Sequence, residues 1–268
     1  MSGFKAGSFL LACGVLACAQ DKVTIPLSSP SQPVTVKAHL IAGSITVTGG
    51  GTAGQVTIES TSAARERREP KDMPAGMHRI DTGGGGFEAM EDHNLVTIGA
   101  SGFMSGGNVN ISIQVPTNAS LQLHSITGGK IEVTGVNGEI EVENMNGSIV
   151  LKDVSGNVVA ASQNGSITAN LDKITPGKPM SFTTMNGKVD VTLPAETKAK
   201  LRLKTDNGSV YSDFDVKMEP DTTKPVVEDV PGGKHRIRMD HSVYGTINGG
   251  GPEYRFETMN GSILIHKK

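Results

Sequence analysis

Three rows of side chains in this chain have the type and spacing to do chemistry, and each needs a particular placement to do it. Glu139, Glu141 and Glu143 set three carboxylates at two-residue steps, which on one strand face stand about 6.8 Å apart. Such a row could hold a weakly bound cation or supply the acid and base of a polysaccharide-cleaving enzyme. Lys200, Arg202 and Lys204 repeat the spacing with cations and suit contact with an anionic polymer such as an envelope glycan. Met145, Met185 and Met259 each precede an Asn-Gly pair and are expected as core filler at a corner rather than as a copper site.

Other patterns lose their chemistry once geometry is considered. Asp240-His241-Ser242 has the residue types of a hydrolytic triad, but neighbours on a strand point to opposite faces and cannot relay a proton. His235 and His241 share parity, yet no third ligand falls in register with them. Gly83 to Glu88 half-matches a Ca²⁺-binding nonapeptide, which works only in adjacent copies. No Gly-Lys-Ser/Thr follows, so it is no phosphate loop either. No catalytic residue, metal or cofactor is expected, and the acidic row reads as a solvated face that keeps an exposed sheet soluble.

Composition narrows the scaffold that must position these rows. Of 268 residues, 34 are Gly, Trp is absent and aromatics total 4%; glycine alone is nearly double its usual share of about 7%. A thick helical core is excluded. The net charge of −2 lacks the electrostatic footprint of a nucleic-acid binder. Residues 1–19 combine Lys5, an apolar run from Phe9 to Leu16 and a small-x-small end at Ala17-Cys18-Ala19, the pattern of a removable export signal. Both cysteines, Cys13 and Cys18, lie inside it. Val15-Leu16-Ala17-Cys18 is also similar to a lipobox, so a membrane partner is expected only if Cys18 is lipidated. The mature region is otherwise expected in the periplasm, at the cell surface or outside the cell.

A repeat organises residues 20–268. Gly-polar-Ile/Val recurs at Gly129, Gly138, Gly147, Gly156 and Gly165, nine residues apart, and again at Gly187, Gly208 and Gly261. Between the marks, stretches such as Lys130-Ile131-Glu132-Val133 alternate polar and apolar, the period of a half-buried strand. An antiparallel meander would satisfy Asn-Gly breaks. It would not explain why every second corner keeps Asn146-Gly147, Asn164-Gly165, Asn186-Gly187 and Asn207-Gly208 while the intermediate corners drift. A parallel β-solenoid with two strands per coil of about 18–22 residues does. It stacks those asparagines as a ladder, with glycines expected at positive φ, around a thin slab from Ile131 to Val210. Mobile excursions are expected at about 63–94 and 217–234.

With that repeat in place, the chain resembles a bacterial family of exported adhesin-like proteins related to the auto-transporter adhesin head, or GIN domain. The resemblance rests on Gly43-Ser44-Ile45-Thr46-Val47, on the run from Ile113 to Leu121 and on the run from Gly128 to Gly165, and it covers Val34 to Lys268. It implies a right-handed β-solenoid at the cell envelope, without the long array and membrane anchor of a true auto-transporter. The expected function is a non-enzymatic binding or scaffold module. Its alternatives are a carbohydrate-active β-helix enzyme acting on acidic polysaccharide and a self-associating envelope scaffold. The expected binding face runs in chain order from Glu139, Glu141 and Glu143, over small neutral residues, to Lys200, Arg202 and Lys204.

Overall fold

The computed structural model describes residues 21–62, 86–101, 109–219, 226–230, 234–238 and 242–268. Residues 1–20 with Cys18, Arg65 to Arg68, Gly83 to Gly85 and Asp240-His241 lie outside the described residues, as does the side chain of His235. The first strands are β1 (Asp21–Pro26), β2 (Val34–Ala42), β3 (Ile45–Thr48), β4 (Gln55–Ser62), β5 (Gly86–Asp92), β6 (Leu95–Ser101), β7 (Val109–Gln114), β8 (Ala119–Thr127) and β9 (Ile131–Thr134). The repeat region supplies β10 (Asn137–Asn146), β11 (Ile149–Asn164), β12 (Ile167–Ile174), β13 (Met180–Asn186), β14 (Val189–Leu193), β15 (Ala199–Asn207) and β16 (Val210–Ser212). The chain ends with β17 (Lys217–Met218), β18 (Val226–Val230), β19 (Lys234–Arg238), β20 (Val243–Ile247), β21 (Glu253–Asn260) and β22 (Ile263–Lys267). Among the described residues there is no helix, and so none that could cross a membrane.

The fold is a parallel β-solenoid with two strands per coil. Its first layer runs β5–β6–β2–β8–β10–β11–β13–β21–β15–β20–β17. Its second runs β1–β4–β7–β3–β9–β11–β12–β14–β22–β16. β11 serves both layers, turning between them where Asp153 (φ 51°) and Gly156 (φ 118°) leave the extended region. Alternation along each strand sends Val, Ile and Leu inward, and the slab residues named from the repeat are buried except Val210, which is 37% exposed. Val210 lies on β16, the outermost strand of its layer among the described residues, where none of them forms a further coil over it.

Chain order and spatial order part at both ends, which corrects the expectation of a sequential stack. The coil β2–β3 sits inside β6–β7, and the last coil, β21–β22, inserts between β13–β14 and β15–β16. Burial explains which coil goes inside. Tyr254, Phe256, Ile263 and Ile265 are at most 1% exposed, and Phe256 stacks on Phe182 at 5.4 Å between ring centroids, whereas the matching inward positions of the outer coil carry the smaller Leu201, Leu203, Val210 and Ser212. A coil covered on both sides removes its apolar area from water completely, so the richer coil takes that place. Antiparallel strands β4, β5, β17 and β20 then close the ends. Within the segments expected as mobile excursions, β5 and β17 are edge strands, and β18 pairs with β19 in a separate two-stranded sheet.

The repeated Asn-Gly corner is held by three parallel columns. Asn164 donates to Asn146 at 2.9 Å, Asn186 to Asn164 at 2.8 Å, Asn260 to Asn186 at 2.7 Å and Asn207 to Asn260 at 2.8 Å. Asn207 thus meets Asn260, not Asn186, because of the inserted coil. Beneath the amides runs a glycine column. A Cβ on Gly147, Gly165 or Gly208 would lie 2.0, 2.1 or 1.9 Å from the carbonyl oxygen of the glycine on the neighbouring coil. Of the four expected positive φ angles at Gly147, Gly165, Gly187 and Gly208, only Gly187 has one, 153°. Close backbone approach, rather than handedness, is what demands glycine here. The third column lies inside: Asn144, Ser162, Thr184, Thr258 and Thr205 donate to the carbonyls of Gly129, Gly147, Gly165, Gly187 and Gly261 at 2.7, 3.2, 2.8, 2.9 and 2.9 Å. Each otherwise orphaned corner carbonyl is satisfied from the coil that follows it.

Candidate functional site

The outer face of the first layer carries every charged row that the spacing singled out. Register defines its lines of neighbours across the strands. One line is His39, His124, Glu143, Ala161, Thr183, Glu257, Lys204. The next is Lys37, Gln122, Glu141, Val159, Ser181, Arg255, Arg202. Glu139 lies beside Asn157, and Lys200 beside Glu253.

The middle of this face is a groove, and residue size makes it. β11 and β13 present Val159, Ala161, Ser181 and Thr183, while the strands on either side present Glu141 and Glu143 on β10 and Arg255 and Glu257 on β21. Short Ala161 and Thr183 on the two central strands, between His124 and Glu143 on one side and Glu257 and Lys204 on the other, leave a trough of about 500 Å³, lined also by Met145, Met185 and Met259. These methionines are 43%, 43% and 45% exposed, so they are groove wall and not core. The non-alternating corner shifts the parity, and the residue before each methionine, Asn144, Thr184 or Thr258, turns inward instead.

The basic row is not a free cationic strip. Inserted β21 sets Glu253 and Glu257 opposite Lys200 and Lys204. Glu257 lies 2.5 Å from Arg255 Nη2 and 3.7 Å from Arg202 Nε, and Arg202 Nε also donates to Ser242 Oγ at 3.2 Å. Arg202 and Arg255 are directly opposed, and the half-buried Glu257 carboxylate between them offsets a repulsion that chain order does not reveal. The acidic row is likewise mixed: Lys178 Nζ reaches Glu139 at 3.1 Å, and Gln122 and His124 flank Glu141 and Glu143. The expected gradient from acid to base becomes two mixed walls around a neutral floor.

Spacing along the chain could not show the pairing of His39 with His124, 85 residues apart. Their Nδ1 atoms are 2.8 Å apart and their rings tilt at 52°. Burial, and secondly the neighbouring His124, lowers the pKa of His39 below the ordinary imidazole value. A second trough of about 390 Å³ lies over this pair and meets the first at His124 and Glu143. The signal that could have found it is the match of Val34-to-Ala42 with Ala119-to-Thr127, which aligns the two histidines at the same step.

A family model described as Toastrack DUF4097 matches residues 80–265. The chain belongs to that family. The Toastrack match begins after β4, although β2 and β3 form an interior coil of the solenoid. Among solved structures, the chain is similar to a crystal structure of a "putative cell adhesion protein" from Clostridium sporogenes, with 13% identity and a TM-score of 0.41, covering 93% of this chain and 100% of that one. No curated protein matches it.

Proposed function

We propose that this Toastrack protein is a non-enzymatic, exported binding module of the cell envelope, and that its ligand lies in the groove of the first layer. The observation that carries the reading is the groove itself: a neutral floor of Ala161 and Thr183 between one wall bearing His124 and Glu143 and another bearing Glu257 and Lys204, open to solvent. Carboxylates on both sides and an ammonium on one, around a shallow, partly apolar floor, suit a hydroxyl-rich polymer, which presents hydrogen-bonding edges and apolar ring faces together. The cross-coil columns fix the floor strands and so limit the ordering that a ligand must induce. The apolar stretch before Gln20 supports export, and the adhesin resemblance supports a surface role.

Retention of the mature protein on immobilised neutral and acidic glycans tests the groove. Thr183→Arg, which fills the floor, is expected to abolish retention, while Thr168→Arg on the second layer leaves it intact. Equal retention of both variants, or none by the wild type on any envelope glycan, overturns the groove. Release of reducing ends from an acidic polysaccharide, lost in Glu141→Gln, would replace the reading with an enzyme. Light scattering that shows filaments dissolved by Thr183→Arg would make the occupant a second copy.

A further inference from the structure

We propose that His39 and His124 form a binding site for a late first-row divalent metal ion, of the zinc or copper class, on the outer face of the first layer. The two imidazoles come from neighbouring parallel strands, at positions directly opposite one another. Their Nδ1 atoms already face each other at 2.8 Å, with ring centroids 4.6 Å apart. Metal–nitrogen bonds of about 2.0–2.1 Å from two nitrogens this close meet near a right angle, so a small opening of the tilted rings admits a cation in place of the shared proton. Imidazole is a preferred ligand for zinc, copper and nickel.

Two features of the surroundings favour the ion over a simple hydrogen-bonded pair. Glu143 stands directly opposite His124 on β10, and Glu141 is two residues before it, so carboxylates are in place to accept hydrogen bonds from metal-bound water and to offset the ion's charge. The trough over the pair leaves room for those waters. Lys37, on the same trough, is the one nearby cation among the described lining residues and sets a limit on how anionic the site is. Among the described residues no group of three or more His, Cys, Asp or Glu is gathered to hold a metal; the site is a two-imidazole one completed by water.

Zinc titration of the mature protein by calorimetry at neutral pH is expected to show one saturable site. His39→Ala and His124→Ala each remove it, Glu143→Gln weakens it by about tenfold, and His266→Ala on the second layer leaves it unchanged. Both histidines are on the surface, and unchanged thermal unfolding of the variants confirms that they fold. In the wild type, zinc shifts the imidazole NMR signals of His39 and His124 alone, and Cu²⁺ gives an electron paramagnetic resonance spectrum split by two nitrogens. Absence of saturable zinc binding by the wild type, or its survival in the double variant, overturns the site.

Discussion

At the scale of single residues, the repeat owes its glycines to backbone contact. Gly165 has no room for a Cβ, because the carbonyl oxygen of Gly147 would lie 2.1 Å away. Gly128, at φ 68°, has nothing within 4 Å of the same atom, so a residue that tolerates the left-handed region fits there. Gly165→Val is therefore expected to cost about 3 kcal/mol, the upper range of overpacking, whereas Gly128→Asn costs less than about 1 kcal/mol. Urea unfolding of the two variants checks this, and equal midpoints would contradict the stacked corner. Asn146, Asn164 and Asn186 were legible as a ladder from their spacing alone. The inward column of Asn144, Ser162 and Thr184 was not, since polar residues two before each Asn-Gly look like ordinary surface, although they keep the inward parity of Ile140 and Val142, Val158 and Ala160, and Met180 and Phe182 on their strands.

At the scale of elements, the closing strands are tied on by local polar clamps. Glu91, near the end of β5, accepts from the Ser28 backbone and hydroxyl at 3.0 and 2.9 Å and from the Asn94 backbone at 2.9 Å. These hydrogen bonds, that from the Ser28 backbone foremost, hold its carboxyl below the usual range. A depressed carboxylate contributes its stability fully above the unfolded pKa and loses it as pH falls through the folded one. The wild type is therefore expected to lose its advantage over Glu91→Gln as pH drops below about 4.3, the ordinary glutamate value. Thermal unfolding of both across that window measures it; a constant gap in melting temperature down to strong acid would show that the clamp is not ionic. The clamp joins Ser28 to Glu91, 63 residues apart, so only the docking of the β5–β6 hairpin on β2 makes it visible.

For the whole molecule, the decisive feature is that the chain's last coil is an interior one. β22 lies between β14 and β16, and its Ile263 and Ile265 are at most 1% exposed. Ending the chain at Asn260 does not fray an end. It removes about 3–6 kcal/mol of apolar burial and opens two facing edges in the second layer. That loss rivals a typical stability of about 5–15 kcal/mol, so the truncated protein is expected to lose cooperative thermal unfolding by circular dichroism. The double change Val210→Ser with Tyr211→Ser, at the true edge, is expected to shift it by only a few degrees. A truncated chain that melts like the full one would show that β16 can close onto β14 by itself.

Local regularity carried most of the architecture. Period-two alternation marks strands because side chains on a strand alternate faces, and the nine-residue spacing of glycine marks corners because only glycine survives carbonyl contact there. From these alone follow the two-stranded coil, the thin slab and the ladder. The order of coils is a different kind of information. A coil from residues 253–267 and one from residues 199–212 both fit against β13–β14 by pattern, and competition for two-sided burial, settled by Tyr254 and Phe256, places the later one inside. That insertion set Glu253 and Glu257 against Lys200, Arg202 and Lys204 and changed the expected cationic strip into a mixed wall. The groove and the histidine pair depend on the same long-range register, because which side chains become neighbours across a sheet is decided by which strands pair and not by distance along the chain.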